Sequence, residues 1–441
     1  MITKNEQKQD RKRSHVYRKE QRERKKTASA RQEMFSESAV PADSRSIIEN
    51  FDDIVESVRN LSGKQKVSLY GAVKNLSHKL TDERSSRRLG YMNEASSVSA
   101  YISYFMWWNL VRMTRLFANL PKTAFDSLAL SEKPVALDVG SGTLTAVIAL
   151  WLSRPELRNK KITWYCMDLS QTALAAGEDL YFSIAARTIA MSETSAVEPW
   201  SIIRVKGALG TSIKEKADFV SCTNVLNEIL QRNEQPTDFL AKKYTGDLIS
   251  YLRTENSSVL LVEPGDPHSA RFISLMRDAL IRRNFLPAAP CPHIEKCPMA
   301  GRTQGRATNA QGKNAKWCNF AFDTESAPER LLKLSEKAGL PKERASLSFV
   351  ISKKSVESAA SKNQNENRES LAGKTFIRIA SDFIRLPELH KSGYYACSEH
   401  GLLLAIDEHH IQPKNGELLL IRTPGDLSET DRKSGAIIVR I

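Results

Sequence analysis

The sequence predicts an α/β protein organised around a parallel, doubly wound sheet. Three observations carry that prediction. From Pro134 onward, strand-like apolar runs at 135–139, 162–167, 201–205, 217–222 and 258–263 alternate with helix-like runs at 143–152, 171–181, 238–253 and 269–282. Strands that alternate with helices pair in parallel and bury both faces of one sheet. The first strand runs straight into Gly140-Ser141-Gly142, a turn that opens a helix. After a polar interval, a further strand pattern at 345–352 adds to the same sheet.

The chain on either side of this core has a different texture. Residues 1–43 read as a basic disordered arm. Positions 1–31 hold twelve Lys and Arg against four Asp and Glu, a net +8 of the whole chain's +14, with almost no apolar periodicity. Such a stretch buries too little surface to fold, and it suits neutralisation of nucleic-acid phosphates. The bland alternative is a tail that only aids solubility. Glu6, Asp10, Glu20 and Glu23 interrupt the arm, which argues against a mitochondrial presequence.

Residues 44–130 read as a helical region. Between Tyr101 and Leu120, one helical face carries Ile102, Phe105, Met106, Leu110, Met113, Leu116, Phe117 and Leu120, and Tyr104, Trp107 and Trp108 widen it. Core packing accounts for these aromatic residues better than base stacking does. An α/β domain with a cysteine loop is then expected at 131–353, a polar linker at 354–374 and a small β domain at 375–441. The last has strand patterns at 376–379, 401–406, 418–421 and 436–441. With 441 residues the chain has room for this many parts. No apolar run reaches the length that crosses a bilayer, 145–152 being among the longest.

The glycine turn is the first candidate site. Gly140 and Gly142 let the backbone bend tightly and approach a ligand closely. A dinucleotide site wants a third glycine three residues after the second, beside the pyrophosphate. Thr145 stands there instead. That departure argues against a pyrophosphate cradle and suits S-adenosylmethionine, which has no phosphate, on a Rossmann-like fold. Asp168 closes the second strand, where its carboxylate would accept hydrogen bonds from ribose hydroxyls. Its alternative role is to cap the helix that begins near Gln171, in competition with Ser170. Asp138, Gly140, Gly142 and Asp168 are therefore the expected cofactor-binding residues. Asn224 and Asn227 follow the fourth strand, facing the crevice where a methyl acceptor would sit. No general base and no Pro-Pro-aromatic motif stands out, so no catalytic residue is assigned.

The chain has six cysteines, and two of them lie in the proline-framed run Pro290-Cys291-Pro292-His293-Ile294-Glu295-Lys296-Cys297-Pro298. Proline favours a rigid loop here over a helix or a central strand. Cys318 follows in Trp317-Cys318-Asn319-Phe320 and Cys397 in Tyr394-Tyr395-Ala396-Cys397. Four thiolates complete the shell of an iron–sulfur cluster or of a closed zinc site. Buried free cysteine is the competing explanation, and it suffices for Cys166 and Cys222 at strand ends. No secretory signal is expected, so thiols are expected rather than disulfides. Residues 300–316 contain Arg302, Arg306, Lys313 and Lys316 with no acid, and read as a flexible basic loop.

Seven segments together resemble a known family: Leu137-Asp138-x-Gly140-x-Gly142, Ala217-Asp218-Phe219-Val220, Val225-Leu226-Asn227-Glu228, Val262-Glu263-Pro264-Gly265, Pro290-Cys291-Pro292-His293, Cys297-Pro298 and Trp317-Cys318. The family is that of the methyltransferase-like small-ribosomal-subunit assembly proteins, with mitochondrial and bacterial members, and the likeness spans residues 90–400. The resemblance implies a factor that binds the small ribosomal subunit during assembly, contacts its rRNA and ribosomal proteins, and is a monomer off the ribosome. It also implies a [4Fe–4S] cluster on Cys291, Cys297, Cys318 and Cys397.

Leu144 stands where family members commonly keep a third glycine, so its side chain is expected to crowd the path of S-adenosylmethionine. The interval from Cys297 to Cys318 is longer than the family leads one to expect. Two other function classes compete. One is an active S-adenosylmethionine-dependent rRNA methyltransferase; the other is a zinc-stabilised nucleic-acid-binding module with His293 replacing Cys397. The absent presequence points to a bacterial cytoplasm, with the mitochondrial matrix as the alternative, and no membrane association is expected.

Overall fold

The computed structural model describes residues 31–81, 91–192, 197–230, 233–253, 255–301, 315–324, 327–355, 373–423 and 425–441. Residues 1–30 of the basic arm, 302–314 of the basic loop and 356–372 of the linker lie outside the described residues.

Strands β1 (Val135–Val139), β4 (Phe219–Thr223) and β5 (Ser258–Glu263) are buried at every position. The middle of a sheet covered on both faces requires this. β1 pairs in parallel with β2 (Thr163–Asp168) and β4, β2 with β3 (Ser201–Lys206), and β4 with β5. β3 is the edge strand and exposes Arg204 and Lys206 there, charges that discourage further pairing. Beyond β5 the direction changes. β8 (Arg344–Lys354) runs antiparallel to β5, to β6 (Phe285–Ala289) and to β7 (Phe320–Asp323). Among the described residues the order is β3-β2-β1-β4-β5-β8-β6. An all-parallel dinucleotide sheet runs 3-2-1-4-5-6. The antiparallel strand wedged between β5 and β6 sets this sheet apart from it and accords with the methyltransferase-like α/β fold.

β6 and β7 are absent from the sequence expectation. Pro287 lies inside β6, where it normally argues against a strand, but a register shift between Pro287 and Ala289 accommodates it.

Alternation along β1 divides the core. Ala136 faces one side, with the Met106–Asn119, Thr145–Ser153 and Gln171–Ala190 helices. Val135, Leu137 and Val139 face the other, with the Thr237–Ser250 and Pro267–Ile281 helices. Thr145–Ser153 is buried all round because it is sandwiched between the sheet and Met106–Asn119. The apolar face predicted from Tyr101 onward is not one α-helix. A π-helical turn, Tyr101–Phe105, precedes the α-helix, and both of its end residues line the cavity described below. Trp107 and Trp108 are buried, and the Trp107 indole N–H donates to Ile48 O at 2.9 Å. They belong to the core.

A second sheet has the order β13-β9-β11-β12-β14, with β10 beside β11. Its strands are β9 (Lys374–Ile379), β10 (Ile384–Leu386), β11 (Lys391–Ser398), β12 (Gly401–Asp407), β13 (Leu418–Arg422) and β14 (Ile437–Arg440). Ile377, Ile379, Leu403 and Leu419 give it a core of its own. Gln32 exchanges backbone hydrogen bonds of 3.0 and 2.9 Å with Leu418. Arg31 donates to Glu417 at 2.9 Å, so this residue, grouped with the arm by composition, is part of the folded unit. Without it the arm carries eleven bases against four acids, a net +7.

Candidate cofactor cleft and candidate metal centre

The turn after β1 is fixed from both sides. The N–H groups of Gly140 and Ser141 donate to Met167 O at 2.7 and 3.0 Å, which ties the turn to the end of β2. Gly140 has φ +72°, and a Cβ built there would stand 2.0 Å from Val225 Cγ2. Gly142 has φ +49° with open space around it, and its N–H donates to Asp168 Oδ2 at 2.9 Å. The other Asp168 oxygen accepts from Ser170 N–H at 2.8 Å. Ser170 takes the helix-capping role, accepting from Ala173 N–H at 3.1 Å. Asp168 therefore braces the glycine turn and still has acceptor capacity facing the cavity it lines.

Leu144 corrects the sequence expectation. It adopts the left-handed conformation that a glycine would, with φ +56°, but its side chain is fully buried in the core and does not line the cavity. It leaves the cavity clear. Gly177, overlooked in the sequence, is what allows the turn its place. A Cβ there would meet the Thr143 backbone at 2.4 Å, so the Gln171–Ala190 helix touches the turn backbone to backbone.

Asp138 is fully buried and accepts from the Ser221 hydroxyl at 2.6 Å. Burial pushes its carboxyl up to about 7. A carboxyl raised above its ordinary 3.8 binds a proton in the folded state that the unfolded chain has lost. Its stabilisation is complete below pH 3.8 and disappears as pH rises through 7. Three pKa units correspond to about 4 kcal/mol at most. Stability is therefore expected to fall between pH 4 and 8, and Asp138→Asn to flatten that fall in thermal melts. Glu263, pushed up to about 8 by burial, retains part of the slope in the variant.

Glu263 and Arg112 are residues near the cavity that sequence reasoning did not assign. Glu263 accepts from the N–H groups of Val225, Leu226 and Asn227 at 2.9, 2.9 and 3.3 Å, fixing the segment after β4. Asn224, at φ +59°, accepts from an Arg112 Nη at 2.7 Å. Arg112 comes from the Met106–Asn119 helix, where two arginines, Arg112 and Arg115, set three apart in a largely apolar helix are the signal that could have flagged it. The cavity encloses about 590 Å³ and runs from Asp168, Leu169 and Gly207 past Gly142 to Arg112, Asn224 and Lys342. Asn227 also lines it.

The four cysteines outside the strand core come from separate parts of the chain. Cys291 and Cys297 lie in the loop after β6. Cys318 precedes β7, and its N–H donates to Met299 O at 3.1 Å, while an Ala300–Trp317 bridge closes the neck of the basic loop. That neck brings Cys318 back to Cys297 whatever the length of the loop beyond it. Cys397 lies on β11, in register with Arg378 on β9.

Burial raises Cys297, Cys318 and Cys397 in pKa, and nearby thiols raise each further: Cys291 acts on all three, Cys297 on Cys318 and Cys397, and Cys397 on Cys318. The four thus share one electrostatic neighbourhood. Among the described residues, no three His, Cys, Asp or Glu side chains are grouped so as to hold a metal ion.

Two buried arginines attend the thiols. Arg277 Nε donates to Cys291 Sγ at 3.2 Å, and its Nη groups donate to Asp278 at 2.7 Å and to His293 O at 2.8 Å. Arg378 donates to Pro290 O and Gly416 O, each at 2.8 Å. Cys166 and Cys222 are fully buried in β2 and β4, and burial raises both thiols well above their ordinary value.

A family model described as mitochondrial small ribosomal subunit Rsm22 matches residues 109–386, well over half of the chain. The chain belongs to that family. The match covers the glycine turn, the segment after β4 and three of the four clustered cysteines, while Cys397 lies beyond it. No curated protein matches the chain. Among solved structures, it is similar to precorrin-6y C5,15-methyltransferase from Geobacter metallireducens, at 11% identity over 53% of this chain and 86% of that one, TM-score 0.29. It is also similar to a Listeria monocytogenes protein assigned to the class I S-adenosylmethionine-dependent methyltransferases, at 12% identity over 71% and 87%, TM-score 0.28. The fibrillarin/Nop5p complex gives 10% over 51% and 74%, TM-score 0.25. The fold of this Rsm22-family chain is read from its own strand order, not from these likenesses. Among the described residues, no helix is long and apolar enough to cross a membrane.

Proposed function

We propose that this Rsm22-family chain is an assembly or binding factor of the small ribosomal subunit, stabilised by a [4Fe–4S] cluster on Cys291, Cys297, Cys318 and Cys397. One observation carries the cluster: three of the four thiols, Cys291, Cys318 and Cys397, lie close to Arg378, a 4% exposed guanidinium whose hydrogen bonds go to neutral carbonyls. A buried cation is costly unless anions lie close by, and thiolates on a metal centre would supply them. Four thiolates complete the shell of an iron–sulfur cluster or of a closed zinc site, and metal analysis separates the two. The cluster would join the loop after β6 and the start of β7 to β11 of the second sheet. On this reading residues 44–130 buttress the cleft, 131–353 hold the cleft and three ligands, and 375–441 hold the fourth. Anaerobic purification with metal analysis and a visible spectrum tests it. One equivalent of zinc without iron would favour the zinc-module reading instead.

The mitochondrial wording of the family description fits the mitochondrial matrix better than a bacterial cytoplasm. For contact with rRNA, the net +7 of residues 1–30 is the main charge reserve. Each neutralised phosphate steepens the log–log salt dependence by about 0.9 on a duplex or about 0.7 on a single strand. Deleting residues 1–30 is expected to weaken binding of small-subunit rRNA and flatten that slope, while the melting curve stays in place. Superimposable filter-binding lines for the full and truncated chains would assign binding to the folded surface.

A second reading, S-adenosylmethionine binding, is favoured by the cavity itself. The glycine turn, a braced Asp168 and open space at Gly142 fit an adenosyl ligand. When bound, that cofactor supplies a transferable methyl group. Asp168 would hold the ribose and Asn224 and Asn227 would border the acceptor side. Calorimetry with the intact protein tests the reading.

A further inference from the structure

We infer that Arg112 is the receptor for the α-carboxylate of the amino-acid half of an adenosyl ligand, and hence the residue that makes the cleft select ligands carrying that carboxylate. The inference rests on the reading of the cavity as an adenosyl site. Arg112 is 7% exposed and lines the cavity beside Asn224, which follows β4, whereas Asp168 ends β2 on the other side of β1 and its glycine turn. Its Nη groups donate to Asn109 Oδ1 at 2.8 Å, Asn224 Oδ1 at 2.7 Å and Ser346 O at 2.8 Å, all neutral acceptors. Its Nε is buried and has no acceptor among the described residues.

A guanidinium so placed keeps its full charge in a poorly solvated setting, where an anionic partner is worth most. Two carboxyls lie nearby: Glu263, whose oxygens are engaged by three backbone N–H groups, and Glu228, which lines the cavity and accepts from the Tyr91 hydroxyl at 3.3 Å. Lys342 also lines the cavity and lies close enough to repel Arg112, so two cations stand against the Glu228 carboxylate on this side. The Asp168 end is acidic. A ligand with hydroxyls at one end and a carboxylate at the other matches the two poles and spans the open space at Gly142. An RNA phosphate is excluded by burial, since a backbone too bulky to enter the cavity cannot reach a side chain this enclosed.

The test compares S-adenosylhomocysteine with its decarboxylated analogue by calorimetry, on the full chain and on Arg112→Met and Arg112→Lys. Charge-assisted hydrogen bonds of this type correspond to about tenfold or more in affinity. The wild type is expected to prefer the carboxylate ligand by at least that factor. Arg112→Met should abolish the preference by weakening S-adenosylhomocysteine alone, and Arg112→Lys should restore part of it. Equal weakening of both ligands by Arg112→Met would reduce Arg112 to a structural residue and overturn the inference. If Arg112→Met does not fold, the wild-type comparison decides alone, and equal affinity for the two ligands overturns it. Failure of the wild type to bind either ligand would instead remove the adenosyl reading, and the inference with it.

Discussion

Cys397→Ser is expected to bleach the protein and to loosen the second sheet from the first. Cys397 is the one clustered cysteine carried by the second sheet, on β11 and opposite Arg378 of β9. Its loss would leave three ligands and a buried guanidinium without its counter-charge. Because metal binding and folding are coupled, iron should drop from about four atoms per chain to well below one, and amide exchange in β9, β11 and β13 should accelerate. Cys222→Ser is the control. That thiol is buried between the sheet and its helices, away from the cluster, so the variant should lose stability and keep its colour. Full iron in Cys397→Ser would transfer the fourth ligand position to another residue, His293 first.

Gly177→Ala should destabilise the protein although alanine is the better helix former. Inside an exposed helix the exchange gains about 1 kcal/mol. Here the new methyl would stand 2.4 Å from the Thr143 carbonyl carbon and 2.6 Å from its oxygen. Those are backbone atoms of the glycine turn, and they cannot swing aside as a flexible side chain would. Overpacking of this kind costs about 1–3 kcal/mol, so the net change should be a loss. The displaced turn should also weaken any ligand held at Gly142. A urea midpoint above wild type would show that the helix slides freely over the turn.

Much of the first sheet was legible in the sequence because its central strands are short, apolar and buried on both faces, and because helices separate them. The turn Gly140-Ser141-Gly142 and Asp168 at the end of β2 were legible for the same local reason: a strand end, a positive φ and a carboxylate two residues before a capping serine leave marks in adjacent residues. The cysteines were legible as types, since Pro290 to Pro298 frames two of them within a few positions.

What the sequence could not display was every relation between distant elements. Leu144 reads as an obstruction, yet the way the Thr145–Ser153 helix packs turns its side chain into the core. Gly177 is an unremarked residue in a long helix until the turn is laid across it. β6 hides behind Pro287 because only pairing with β8 makes the bulge visible. Arg31 belongs by composition to the basic arm and by contact to Glu417. Arg112 and Arg378 enter a charge count like any other base, and their meaning depends on burial, which charge counts along a chain do not measure. The sequence by itself determined the local conformations and the inventory of chemical groups. Tertiary structure alone decided which groups are removed from water together, because desolvation is a property of neighbours in space and not of neighbours in the chain.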